Sequence, residues 1–153
     1  MAERVVGVGF TVSWEPNAPD AVMISNDLGR TVLALRGHPD DEDQRNVVLV
    51  WSGVESATLS APNDEAVSGH RLWRHGLSEV LWIGIVEGSA LRSDLKRQNS
   101  VHPGHDPARF DSLEHYIVLL KECVAEVVAR SIETHRMDGG TLESAAAALK
   151  DSL

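Results

Sequence analysis

The chain has 153 residues, 42% hydrophobic and 24% charged, a composition that indicates one globular domain over residues 1–153 and excludes collagen, coiled coil and global disorder. With 23 acidic and 14 basic residues, the net charge is −9 with histidines neutral, which disfavours binding to nucleic acid or to an anionic membrane. The single cysteine, Cys123, and the lack of a secretory leader or of an apolar run of about 18–20 residues indicate a cytoplasmic protein.

The first part of the chain predicts strands. Large side chains alternate with small or polar ones over residues 5–14, which indicates a half-buried strand that ends before two prolines. Residues 21–25 and 30–36 predict a hairpin around a four-residue loop, in which Gly29 can adopt a positive φ.

The middle of the chain begins with an acidic loop. Residues 37–45 contain four consecutive acids at 40–43, and we expect this loop to be exposed because like charges avoid burial. Residues 46–60 then predict one long strand that can bend at Gly53. Its apolar start indicates burial on both faces.

A short helix is predicted to begin at Pro62 and to end near Gly69, because proline suits the first helical turn and acids follow it. A loop over 70–76 and a compact strand over 80–86 come next. Ser89 is predicted to cap a helix that ends near Asn99.

The last part of the chain contains one ambiguous stretch. Prolines make residues 99–109 irregular, and residues 141–153 predict a C-terminal helix. The apolar residues of 111–134 fit either one helical stripe or two strands, and periodicity alone does not separate these alternatives.

Three histidines and two acids cluster in the sequence: His102, His105, Asp106, Glu114 and His115. Imidazole changes charge near neutral pH and a carboxylate can orient it, so this pattern is typical of acid–base catalysis. A metal site with two imidazoles and a carboxylate is a second interpretation, and a surface loop that happens to contain histidines is a third. We expect no bound metal, because Pro103 fixes the backbone between the first two histidines and their rings need not converge.

A second group of residues has the composition of a substrate pocket: Asn63, Glu65, His70, Trp73 and Trp82. In the functional interpretation, His70 faces the histidine segment and the tryptophans supply an apolar floor. In the alternative, the acids only begin a helix and the tryptophans belong to the core.

Three segments resemble a group of small bacterial proteins of uncharacterised activity. They are Pro-Asn-Asp-Glu and Gly-His at 62–65 and 69–70, Asn-Ser-Val-His-Pro at 99–103, and His-Tyr-Ile at 115–117. The resemblance covers roughly residues 48–130 and implies a hairpin over 116–130, but it implies no activity. Lys121 and Glu122 occupy the place of a His-Asp turn in those proteins, so chemistry at that turn is not implied for this chain.

We therefore expect an α+β domain with a mainly antiparallel sheet or open β-barrel, one or two covering helices and a C-terminal helix. The favoured function is a small soluble enzyme that acts on a small-molecule metabolite, natural-product biosynthesis included, by histidine and carboxylate acid–base chemistry without a cofactor. The alternative is a non-catalytic interaction or accessory protein that binds a basic protein partner through its acidic surface. A homodimer is a further expected partner state.

Within the enzyme hypothesis His115 is the general base, because a strand fixes a side chain better than a loop does. His102 and His105 act as partner acid or substrate clamp, and Asp106 or Glu114 orients an imidazole. Replacing His115 by Gln is then expected to abolish activity and to change the free energy of unfolding by only about 1 kcal/mol.

Overall fold

The structure, a computed structural model, describes residues 2–9 and 13–151, the last of them without its side chain. In this part of the chain, strands β1–β9 are, in order, Arg4–Gly7, Val22–Ser25, Arg30–Leu35, Asn46–Ser52, Ser56–Ser60, Ile83–Glu87, Glu114–Leu119, Val124–Ala129 and Ser131–Met137. Helices α1–α3 are Ala90–Asn99, Pro107–Asp111 and Thr141–Asp151, and 3₁₀ turns occupy Val67–Gly69, Trp73–His75 and Leu77–Glu79.

Two antiparallel sheets pack face to face. Sheet I has five strands in the order β1-β6-β7-β8-β5, and sheet II has four in the order β2-β3-β4-β9. Buried side chains from both sheets form the main core, in which the rings of Trp51 and Tyr116 lie 6.1 Å apart. The expected α+β fold with antiparallel sheets and a C-terminal helix is confirmed, and neither sheet closes into a barrel in the described part of the chain.

Strand β4 is buried on both faces, as its unbroken apolar sequence indicates. Leu49 and Trp51 face sheet I, whereas Val48 faces α3, which contributes Ala145 and Ala148. The small alanine side chains let α3 lie close to β2, β3 and β4, so sheet II is covered on its outer face by one short helix.

The two sheets share a corner at Gly53 and Arg130. The chain passes from β4 into β5 through Gly53, and from β8 into β9 through Arg130, whose amide donates to the carbonyls of Ser52 and Gly53 at 3.0 and 3.2 Å. The bend predicted at Gly53 is present, but the prediction of one strand over 46–60 is wrong. At Gly53 φ is +65°, which turns the chain out of sheet II into sheet I.

Two apolar layers cover the outer face of sheet I. The segment of 3₁₀ turns packs Leu72 and Leu77 against β1, β6, β7 and β8. Helices α1 and α2 pack Leu95 and Phe110 against Val128 of β8. The polar side chains considered as a candidate site lie between and beside these layers.

The ambiguous stretch is a hairpin. Strands β7 and β8 pair from Glu114 with Ala129 to Leu119 with Val124, and the amide of Leu120 donates to the carbonyl of Cys123 at 3.0 Å in the turn. The hairpin prediction for 116–130 is therefore confirmed and the helical alternative is wrong. The β2–β3 hairpin is also confirmed, and so are helix α1 and the C-terminal helix α3.

Other predicted elements differ from the structure in extent. Strand β1 ends at Gly7, residues 10–12 of the predicted strand lie outside the described part, and Trp14 forms only a bridge to Gly37. The strand predicted over 80–86 begins at Ile83, because the 3₁₀ turn Leu77–Glu79 precedes it.

The segment after Pro62 forms turns instead of the predicted helix. The amide of Asp64 donates to the carbonyl of Lys121 at 2.8 Å, so it is bonded to the β7–β8 turn and not within a helix. Conversely, the region 99–109 predicted as irregular contains the start of α2, because Asp106 caps it and Pro107 occupies its first turn. No helix within residues 2–9 and 13–151 is long and apolar enough to cross a bilayer.

We predict that Gly53→Ala lowers the free energy of unfolding by about 2 kcal/mol, because an L-residue is strained at positive φ. The added Cβ would also lie 2.8 Å from Cβ of Arg130. Gly69→Ala is the matched control, since no atom lies within 4 Å of its added Cβ and its φ is not positive. Urea denaturation of both variants tests this, and equal stability of the two would contradict the role of the corner.

Candidate functional site

The histidine that sequence analysis places on a strand, His115, is fully buried on the outer face of sheet I. Its Nδ1 lies 2.7 Å from Oγ of Ser89, at the start of α1, and its Nε2 lies 2.9 Å from Oε1 of Glu126, on β8. Its side chain has no exposed surface. The imidazole therefore connects a helix start to a carboxylate on the neighbouring strand.

The strand register explains why Glu126 reaches His115. Within the β7–β8 ladder, His115 pairs with Val128 and Ile117 pairs with Glu126, so Glu126 is the diagonal neighbour of His115 on the same face. The flanking outward residues of β8, Val124 and Val128, are buried in the two apolar layers. A single carboxylate is thus enclosed by apolar side chains along its strand.

Two further side chains reach Glu126 from the segment after the first 3₁₀ turn, one as a hydrogen-bond donor and one as a longer polar contact. Nη2 of Arg71 donates to Oε1 at 2.9 Å, and Nη1 donates to Oε2 at 3.3 Å. Nε2 of His70 lies 3.6 Å from Oε2. The side chains of His70 and Glu126 are only 6% and 13% exposed, whereas that of Arg71 is half exposed, so Arg71 covers the carboxylate on the solvent side.

The hydrogen bonds determine the proton positions. An ionised carboxylate only accepts hydrogen bonds, so Nε2 of His115 carries the proton that faces Glu126, while Nδ1 is bonded to Oγ of Ser89, which also accepts the Arg92 amide. The amide of Leu72 donates to Nδ1 of His70 at 3.1 Å, which leaves the His70 proton on Nε2. Two imidazole N–H groups and one guanidinium therefore surround the carboxylate.

The pKa directions agree with this arrangement. Burial opposes ionisation of Glu126, but hydrogen bonds from His115 and Arg71 outweigh it and lower the pKa of Glu126 to about 2. Burial lowers the pKa of His70, against the opposing attraction of Glu126. The carboxylate is therefore the charged member and His70 is neutral at pH 7.

The order serine, histidine, carboxylate resembles a hydrolase triad, but the geometry differs. In such a triad Nε2 faces the serine nucleophile and Nδ1 faces the carboxylate, whereas His115 uses its nitrogens the other way round. Ser89 is 1% exposed and its oxygen already accepts the Arg92 amide. In this conformation the network holds α1 and the 70–71 segment on the sheet and has no group free for a substrate.

The other residues of the predicted histidine cluster do not join this network. Glu114 belongs to the opposite face of β7, because adjacent residues of a strand face opposite sides, so it does not orient His115. Asp106 accepts the Ala108 amide at 3.1 Å as the cap of α2. Nδ1 of His105 lies 2.8 Å from Oδ1 of Asn99, and its ring stacks on Phe110 at 5.6 Å.

The predicted substrate-pocket residues are also separated. Asn63 closes a local turn by accepting the Ala66 amide at 3.2 Å, and Glu65 is exposed. Trp73 packs on the outer face of sheet I, whereas Trp82 packs on the core between the sheets. The two tryptophans therefore do not form one apolar floor, and only His70 of this group reaches His115 through Glu126.

An open cleft of about 590 Å³ lies where α1, the following loop and α2 meet the corner of the sheets. We call it the α1–α2 cleft; its lining includes Glu55, Leu95, Asn99, Val101, His102 and Phe110. Phe110 is buried at 1% exposure and Val101 is 89% exposed, so the cleft has an apolar floor and an apolar rim. Its volume is in the range of small-molecule sites.

His102 is held in this cleft by its own turn. Its Nδ1 accepts the Gly104 amide at 2.9 Å, so the ring proton is on Nε2, and the ring is exposed. The carboxylate of Glu55 lines the same cleft and is paired with Arg109 of α2, whose guanidinium lies 5.0 Å from the centre of the Phe110 ring. One imidazole donor and one carboxylate therefore line a single concave surface.

Sequence analysis did not identify Glu126, the partner of His115, or Glu55, which lines the α1–α2 cleft. Glu126 is the only acid in the apolar stretch Val124–Ala129, and this signal was present in the sequence. Glu55 had no such signal, because the sheet corner at Gly53 brings it to α2. Within the described residues no three His, Cys, Asp or Glu side chains are grouped as metal ligands would be.

Comparisons of this chain with protein-family models, with curated proteins and with solved structures give no match. The candidate site is therefore described by its geometry alone.

We predict that His115→Gln lowers the free energy of unfolding by about 2–4 kcal/mol, contrary to the small change expected from the sequence. The reason is that one amide group cannot satisfy both Ser89 and the buried charge of Glu126. His75→Gln, at an exposed position, is the control and should change stability by less than about 0.5 kcal/mol. Chemical denaturation measures both, and a fully stable His115→Gln would contradict a structural role.

Acid is expected to destabilise the fold in two stages. Burial lowers the pKa of His70 from its ordinary 6.5, so the unfolded chain binds that proton first and stability falls below about pH 6.5. The pKa of Glu126 is lowered from 4.5 to about 2, so its contribution is complete above pH 4.5 and is lost as the pH falls towards 2. The second stage amounts to about 3 kcal/mol.

Denaturation of Glu126→Gln as a function of pH checks this assignment. The variant should be less stable at pH 7 and should have a smaller slope below pH 4.5, because Asp41, Asp43 and Asp111 also have lowered pKa values and keep their share. The exposed control Glu65→Gln should keep the full slope. If Glu126→Gln keeps the full slope, then other carboxylates cause the acid sensitivity.

Proposed function

We propose that the protein is an enzyme that binds a small organic molecule in the α1–α2 cleft and acts on it by acid–base chemistry. The observation that carries the proposal is that one cleft of about 590 Å³ is lined by an imidazole with a free Nε2, by a carboxylate and by a buried aromatic ring. Small-molecule sites combine such an apolar surface with a few fixed polar groups.

In this proposal the neutral ring of His102 donates a hydrogen bond from Nε2 to the ligand atom on which negative charge develops. The Gly104 amide occupies its Nδ1 and fixes the ring, so Nε2 faces the ligand. Glu55 accepts a proton or holds a positively charged group of the ligand, and Arg109 fixes its carboxylate. Phe110 and Leu95 cover the apolar part of the ligand. An acid–base pair of this kind contributes about 10²–10⁴-fold to a rate.

His115 is a positioning residue in this proposal and not the base. Its bond to Ser89 fixes the start of α1, the helix whose last turn lines the cleft. His105 positions the loop between the helices, because it is bonded to Asn99 and stacked on Phe110. The catalytic role expected for the histidine segment thus passes to His102.

The acidic loop has fewer unpaired carboxylates for a basic protein partner than its sequence indicates. Asp41 is bonded to Arg136 at 2.6 Å and Asp43 to Arg45 at 2.7 Å, so two of the four acids of the run already have a cation. Hydrogen bonds from the backbone of Asp43 and from Arg136 lower the pKa of Asp41. The cleft is therefore the better supported site, and a cytoplasmic location, compatible with the lone Cys123, remains part of the proposal.

Incubation of the protein with a metabolite extract, followed by mass spectrometry, tests the proposal. The wild-type protein should convert at least one compound, and His102→Gln should slow that conversion by about 10²–10⁴-fold because the imidazole N–H donor is removed. Glu55→Gln should slow it as well. Amide resonances of the cleft residues should shift when the compound is added to His102→Gln.

His75→Gln controls for the loss of any histidine, since His75 is exposed on a 3₁₀ turn away from the lining of the cleft. It should convert the compound at the wild-type rate. Equal conversion by wild type and His102→Gln, or resonance shifts confined to other surfaces, would reject the proposal.

A further inference from the structure

A second cleft lies on the outer face of sheet II, beside α3. The helix packs over β2, β3 and β4 and leaves Glu133 and His135 of β9 exposed at the edge of the sheet. The cleft has a volume of about 460 Å³, and its floor is formed by Val50, Met137 and Ala148. We call it the β9 cleft.

An arginine and a glutamate line this cleft and form no ion pair with each other. Arg30 on β3 and Glu133 on β9 are separated by β4 and offset by two residues along the strands, because Arg30 pairs with Ser52 and Glu133 with Val50. Two strand spacings and this offset place their backbones roughly 12 Å apart. The guanidinium of Arg30 has no ion pair or hydrogen bond with any side chain that the structure describes. The carboxylate of Glu133 contacts only Nε2 of His135, at 3.3 Å, among those same side chains.

The other arginine of the cleft is already occupied. Arg136 donates through Nη2 to Asp41 at 2.6 Å and through Nη1 to the carbonyls of Asp43 and Arg45, each at 3.0 Å. It shapes the wall and holds the acidic loop, so its charge is neutralised. The free charges that a ligand meets are those of Arg30 and Glu133.

We propose that the β9 cleft binds a small zwitterion with an apolar side chain, of which a free α-amino acid is the simplest kind. Its carboxylate pairs with the forked donors of Arg30, its ammonium group pairs with Glu133, and its side chain lies on the floor of Val50 and Ala148. A simple anion would face the like charge of Glu133 and a simple cation that of Arg30, so each is disfavoured. This site is independent of the α1–α2 cleft.

Titration with each of the free standard L-amino acids, followed by amide-resolved NMR, tests the proposal. At least one should shift the amide resonances of β9 and of Arg30. Its decarboxylated amine and its deaminated acid should each bind at least about tenfold more weakly, because each lacks one charge-assisted contact.

Two variants test the charges separately. Arg30→Gln and Glu133→Gln should each weaken binding about tenfold or more. Arg4→Gln and Glu87→Gln remove the same charges from exposed positions on sheet I and should leave binding unchanged. Absence of β9 shifts with every amino acid, equal binding of the amine or the acid, or equal loss in the control variants would overturn the proposal.

Discussion

An ionised carboxylate between two apolar layers needs hydrogen-bond donors on every side, and this requirement at Glu126 organises the outer face of sheet I. One donor comes from the neighbouring strand through His115 and two come from the guanidinium of Arg71, while Nε2 of His70 lies 3.6 Å away. His115 is satisfied in turn by Ser89. A single buried charge therefore determines where the 3₁₀ segment and α1 attach to the sheet.

This attachment extends to the α1–α2 cleft. Besides the contact of Ser89 with His115, Nη1 of Arg92 donates to the carbonyl of Leu113 at 3.0 Å, so the start of α1 is joined to β7 and to the residue before it. Leu95 on the same helix packs with Phe110, which forms the floor of the cleft. The buried network and the open cleft therefore share one helix, which is bonded to the network at its start and lines the cleft at its end.

The sequence predicted those elements of the fold whose signals come from residues close together in the chain. The turn-forming loop with Gly29 predicted the β2–β3 hairpin, and the serine cap predicted α1, because these signals depend on neighbours in sequence. Periodicity did not separate a helix from two strands over residues 111–134, and only the resemblance implied the β7–β8 hairpin. The extent of β5 was not predictable, since the turn at Gly53 moves the chain into another sheet. The order of residues in the chain does not reveal that β4 and β5 belong to different sheets.

The candidate site was less predictable for a related reason. Sequence proximity suggested Glu114 as the partner of His115, but the pleat of a strand places adjacent side chains on opposite faces. The true partner, Glu126, is identified only by the register of the hairpin. Likewise, His102 and His105 are three positions apart, yet one faces the cleft and the other stacks under it.

The histidines differ most in how many ring nitrogens the fold has already used. Both ring nitrogens of His115 are bonded to buried partners. If His115 bonded to a substrate instead, Ser89 or Glu126 would lose its hydrogen bond. The free energy of that loss is a large part of the free energy of unfolding of a small domain. His102 lines an open cleft and has one nitrogen bonded within its own turn, whereas none of the described side chains bonds its Nε2. A catalytic group needs a fixed orientation together with an unused donor or acceptor, and the fold provides this combination at His102, on the loop, and not on the rigid strand.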